Sequence, residues 1–124
     1  MKPTTLALAA AGVIACAVAA PSPAQDLAKT AGKNAKVLID NEKVRVIELQ
    51  MAPGAKTGMH SHGDNLVVFV TGGDATQTMA DGTTKTMSRK PGEVLWSGPV
   101  THDTVNTSKT AIRSLVIELK EPAK

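Results

Sequence analysis

The chain has 124 residues, enough for one domain with a small core, and a formal charge of only +3. Phe69 and Trp96 are its only aromatic residues and tyrosine is absent, which excludes the stacking platform of a single-strand nucleic-acid binder. Lysines and arginines are interspersed with acids, so no basic block offers itself to phosphate or to a membrane surface.

The chain opens with a short positive start at Lys2, followed by an uncharged Ala/Leu/Val/Ile run from Leu6 to Ala20. The run is too short for a comfortable transmembrane span, and Ser22-Pro23-Ala24 supplies a small-x-small cleavage pattern before Gln25. Residues 1–24 therefore read as a signal peptide, and the mature protein is expected in the periplasm or outside the cell. Cleavage there removes one lysine and no acid, leaving a formal charge of +2. It also removes Cys16, the only cysteine, and with it any disulfide or thiol nucleophile. Val13-Ile14-Ala15-Cys16 resembles a lipobox, so a lipid anchor at Cys16 is the competing expectation; it is disfavoured because the apolar stretch continues past the cysteine.

Residues 25–35 are small and polar without an apolar period, and are expected to form a flexible leader. From Lys36 the texture changes to short β-type runs punctuated by turns. Val37 to Ile39 ends at Asp40-Asn41, and Val44 to Met51 ends at Pro53-Gly54. Leu66 to Val70 is apolar on both faces and ends at Thr71-Gly72-Gly73; such a strand is expected to be covered on both sides, by a second subunit among other candidates. Ala75–Met79 and Thr83–Met87 flank Asp81-Gly82, a hairpin signature. Val94 to Trp96, Thr101 to Asn106 and Ala111 to Leu119 complete the set. Closely spaced short strands with no sustained helical period predict an all-β, antiparallel barrel or sandwich over residues 36–120. A homodimer is expected from edge pairing of the Leu66–Val70 or Ala111–Leu119 runs.

The chemistry lies in three histidines. In an extended segment His60 and His62 point to one face, and His102, after the Gly98-Pro99 turn, can close the site from another strand. A His-x-His pair by itself is a weak signal. Its surroundings add to it. Five residues separate Gly54 from His60, and Gly73 closes the stretch; Pro99, His102 and Asn106 follow at matching intervals. In these two motifs the chain resembles the cupin superfamily, over about residues 36–120. That resemblance implies a jelly-roll β-barrel with His60, His62 and His102 as ligands of a divalent metal. It places Leu66 where the family's motif has a glutamate. Without that carboxylate, Zn, Fe, Ni or Cu is expected rather than Mn. Asp64 shares the parity of the histidine pair and is a candidate fourth ligand; the alternative is a polar turn at Gly63-Asp64-Asn65.

Other residues read as structure. Met51, Met59, Met79 and Met87 are expected as core filler, Trp96 as a cap or mouth residue of the barrel, Asn106 as a satisfier of backbone groups, and Glu48 and Glu93 as surface or turn residues. The catalytic residues are unknown at this stage. Two functions stay open: a metalloenzyme, an oxygenase or isomerase acting on a small molecule, and a non-catalytic module that binds or senses a small ligand.

Overall fold

The computed structural model describes residues 25–121. The expected signal peptide and Cys16 lie outside them. Nine strands occupy the described region: β1 (Ala35–Asp40), β2 (Val44–Met51), β3 (His60–His62), β4 (Asn65–Phe69), β5 (Gly73–Met79), β6 (Thr84–Arg89), β7 (Val94–Ser97), β8 (Val100–Asn106) and β9 (Ile112–Leu119). A single-turn helix, α1 (Leu27–Thr30), and a 3-10 turn (Gly32–Asn34) precede them.

The strands form two antiparallel sheets in the order β1-β2-β9-β4-β7 and β3-β8-β5-β6. This is an all-β jelly-roll arrangement in which the inner faces of the two sheets enclose the core. Alternation decides which side chains go inside. Ile47, Leu49 and Met51 of β2 and Val116 of β9 face inward and are buried. The Asp81-Gly82 turn forms as its sequence predicts. Gly82 takes φ +86°, and the Asp81 carboxylate accepts from the backbone N–H and the hydroxyl of Thr83.

Asn106 ties the end of β8 to its surroundings. Its side-chain amide donates to the carbonyls of Met51 and Thr110 at 2.8 and 2.9 Å, and its Oδ1 accepts from Ser108 N–H at 2.9 Å. This agrees with its expected role. Glu93 likewise sits in a turn, where Oε2 accepts from Lys90 N–H.

Three expectations are corrected. First, residues 25–35 do not form a flexible leader. Asp26 caps α1 by accepting from Ala28 N–H, Leu27 is 1% exposed, and Leu27 and Ala31 join the core of Ile47, Leu49, Met51 and Val116. Burying one leucine stabilises the fold by about 2 kcal/mol, enough to hold a turn too short to form alone. Second, neither β4 nor β9 is an edge. β9 lies between β2 and β4, and β4 between β9 and β7, so no backbone is free there for a second subunit. Third, Trp96 neither caps nor lines the barrel. It stands on the outer face of β7, 56% exposed.

Candidate metal centre

His60 and His62 lie on β3, and the register pairs His60 with His102 of β8. The two-residue spacing turns both β3 imidazoles inward, and the cross-strand pair brings in the third. Ring centroids are 4.6, 4.8 and 5.5 Å apart, and one nitrogen from each ring falls within 4.8 Å of the others. His60 is 2% exposed and His102 also buried. The three histidines can hold a metal ion.

Neighbouring groups fix which nitrogens are free. His60 Nδ1 lies 2.7 Å from the Gly58 carbonyl, so it carries the proton and leaves Nε2 as a lone pair. Gly58 has φ +74°, and a Cβ there would sit 3.1 Å from Thr30 Cβ of α1. Glycine is thus required both by the turn and by the helix pressed against it. His62 Nδ1 lies 3.1 Å from Glu118 Oε1, which frees its Nε2 in the same way. His102 Nδ1 is buried and has no partner among the described residues. Uncommitted lone pairs and an unpartnered imidazole nitrogen form a donor set that fits a divalent cation.

Burial favours the neutral form of His60 and His102. Burial lowers the His60 pKa. Burial, followed by the neighbouring His60 and His62, lowers that of His102 to about 4. Neutral imidazole is the metal-binding form. The sign for stability follows from linkage. Between the ordinary imidazole value, about 6.5, and His102's value of about 4, the unfolded chain takes a proton that the folded metal-free protein refuses. Stability without metal is therefore expected to fall as pH drops through that window. A urea midpoint that stays level from about pH 6.5 to 5, at constant salt, would show instead that burial does not lower the His60 and His102 values.

Behind His62 runs a chain of charges. Glu118 Oε2 accepts from Arg45 Nε at 2.8 Å, and the Arg45 fork grips both Asp26 oxygens at 2.7 and 2.8 Å. Burial alone would raise the Glu118 pKa, but the hydrogen bonds from His62 and Arg45 outweigh it and the carboxyl titrates below its usual range. The carboxylate that orients His62 is thus held by an arginine anchored to the cap of α1. Sequence reasoning missed both Glu118 and Arg45. The signal was present: each stands in the inward parity of its strand, Glu118 with Val116 and Arg45 with Ile47, where a charge needs a partner.

The histidines close one part of a cavity of about 100 Å³ inside the barrel. Asn65, Val67 and Phe69 of β4 line it, so the alternation turns Leu66 outward. Leu66 therefore does not stand where a fourth ligand would have to stand; Asn65 and Val67 are the inward residues of that strand. Asp64 is exposed in the turn between β3 and β4 and is not part of the cluster, which leaves the polar-turn reading. Met51 and Met87 face the cavity as filler, whereas Met59 is exposed. Glu48 lies on the outer face of β2, paired with Arg113.

No protein-family model and no curated protein matches the chain. Solved structures do. A cupin-domain protein from Bordetella pertussis Tohama I is 34% identical, over 70% of this chain and 92% of that one, with a TM-score of 0.66. An RmlC-like cupin of double-stranded β-helix fold from Methanocaldococcus jannaschii is 15% identical, over 81% of this chain and 91% of that one, with a TM-score of 0.59. The polyketide cyclase RemF from Streptomyces resistomycificus is 21% identical, over 76% and 70%, with a TM-score of 0.54. The last two are likenesses of fold. Among the described residues no helix is long and apolar enough to cross a membrane.

Proposed function

The chain belongs to the cupin superfamily, and we propose that this member is an exported divalent-metal protein whose centre, His60, His62 and His102, takes a small-molecule ligand from the barrel cavity. One observation carries the proposal: three buried imidazoles converge with their nitrogens within 4.8 Å, two of them oriented by hydrogen bonds on the far side of the ring. When bound, the ion supplies a Lewis acid and a coordination position for a ligand. Among the described residues no Asp or Glu lines the cavity. That favours Zn, Fe, Ni or Cu over Mn, which prefers hard oxygen donors.

The same absence bears on catalysis. Among the described residues no carboxylate, tyrosine or cysteine lines the wall, and the imidazoles are the protein bases there. An oxygenase or isomerase built on this site would depend on the ion for its chemistry, while a sensing or binding module needs nothing more than the cavity already provides.

The test is elemental analysis of the untagged exported protein, purified without chelator, beside a His60→Ala/His102→Ala variant. The expected result is close to one metal ion per chain in the wild type and near zero in the variant. A metal-free wild type that also refuses added Zn and Fe would sink the proposal.

Homodimerisation belongs to this reading too, through a face rather than an edge. The register aligns Ile39, Val46, Ile117, Leu66 and Trp96 in one apolar row across all five strands of the larger sheet. Beside it stands Val94, 62% exposed. Light scattering is expected to give a dimer for the wild type and a monomer for a Val94→Lys/Trp96→Lys variant. A wild-type monomer at high concentration would contradict it.

A further inference from the structure

Beyond a metal centre, the cavity has a second polar feature. Among the described residues Arg89, at the end of β6, is the only lysine or arginine that lines it, and neither Asp nor Glu does so. Its Nε is shut away from solvent with no hydrogen-bond partner among the described residues. Its guanidinium carbon sits 5.8 Å from the centre of the Phe69 ring, a cation–π contact that steadies the group over a hydrocarbon wall.

The other two arginines behave differently. Arg45 is forked to Asp26 and also held by Glu118, and Arg113 is bound to Glu48. No carboxylate pairs with Arg89 among the described residues. A guanidinium with a buried, unmatched N–H, facing a wall with no carboxylate among the described residues, is free to take an anionic partner. Its planar fork suits a carboxylate.

Its position sets the shape of the ligand. The histidine end of the cavity is level with Asn65, whose register partner Glu118 bonds His62. Arg89 is level with Phe69. The two levels are four residues apart on β4, about 13 Å of strand. One carboxylate cannot meet both ends. The wall between them is formed largely by Val67, Leu95, Met87 and Ala75, with Gln77 and Thr104 as neutral polar groups.

We propose that the cavity is a site for a short organic acid, its carboxylate paired with Arg89, its hydrocarbon body along the apolar wall and its far end directed at the three histidines. This rests on the metal-centre reading for the far end only. The acid-binding end stands on Arg89 itself.

The experiment is calorimetric titration of the exported protein with straight-chain acids from propanoate to hexanoate, and with the corresponding primary amides. Each series is run on zinc-loaded and on metal-free protein. At least one acid is expected to bind ten-fold or more tightly than its amide in both forms. Arg89→Gln is expected to bring that acid down to the amide's level while zinc stoichiometry stays as in the wild type. Arg89→Lys, which keeps a charge without the fork, should retain part of the preference. Circular dichroism melting shows that each variant is folded. If acid and amide bind alike, if neither series binds, or if Arg89→Gln leaves the acid's affinity unchanged, the proposal is overturned. Failure of the wild type to bind either zinc or iron would overturn the metal centre alone, because the acid–amide contrast in metal-free protein tests Arg89 independently.

Discussion

Replacing Asn106 by alanine is expected to destabilise the protein by about 3 kcal/mol, lowering its melting temperature by about 15 °C. The residue is 1% exposed, and its amide is the partner of three backbone groups: the carbonyls of Met51 and Thr110 and the N–H of Ser108. Alanine leaves all three unmatched where water has little access, and each such group costs about 1–3 kcal/mol. The main chain of Asn106 is also paired on both sides, N–H to Ala55 and carbonyl to Gly54 N–H, so the segment cannot readily turn outward to find solvent. Asn106→Asp is a sharper version of the same test. It keeps the acceptor for Ser108 but loses the donor to two carbonyls, and should be no better tolerated than alanine. Thermal melts of the two variants check this; a shift of only a few degrees for both would mean the loop rearranges cheaply.

The second large effect is expected at Arg45. Arg45→Ala leaves the Glu118 carboxylate with His62 alone and removes from Asp26 the one side chain that holds it among the described residues. Removing one partner of a fully buried pair costs about 3–5 kcal/mol. These side chains are partly exposed, at 19%, 30% and 17%, so about 2 kcal/mol is expected here. The metal site should suffer as well, since Glu118 would no longer be held against His62 Nδ1; loss of such an outer partner typically lowers metal affinity about 10- to 100-fold. Arg45→Met separates the two effects, because it restores packing volume without restoring the fork. Competition with a chromophoric zinc chelator measures affinity and urea unfolding measures stability. A variant that loses stability but binds zinc as tightly as the wild type would show that His62 needs no help from Glu118.

The sequence revealed the strands more reliably than their surroundings. Val44–Met51 was legible to the residue, because turn residues bound an alternating run. The histidines were legible because two follow strand parity and the third follows a Gly-Pro turn. Leu66 was misplaced for a definite reason. Parity survives along a strand but not across a connection, and the Gly63-Asp64 turn between β3 and β4 shifts the inward set from even to odd numbers, from His60 and His62 to Asn65 and Val67. The segment before β1 was misjudged because a four-residue helix offers no period to detect; its leucine is fixed by the barrel rather than by its neighbours in sequence. Trp96 was misjudged because size alone does not decide burial on an edge strand. Arg89 drew no notice in a polar stretch of β6. Its meaning depends on what it faces, and only the fold supplies that.

The closeness of Gln25 to the site bears on how the protein should be handled. Its carbonyl accepts the N–H of Ser61, the residue between His60 and His62. A polyhistidine handle joined just ahead of Gln25 would lie beside the strand that carries the site, with imidazoles of its own to offer a passing ion. Metal counts from such material would mix borrowed ligands with native ones. A handle placed after Glu121 meets the same difficulty, because Glu118 bonds His62 and the Leu119 N–H donates to the Asp64 carbonyl, so untagged protein is the material for metal counts.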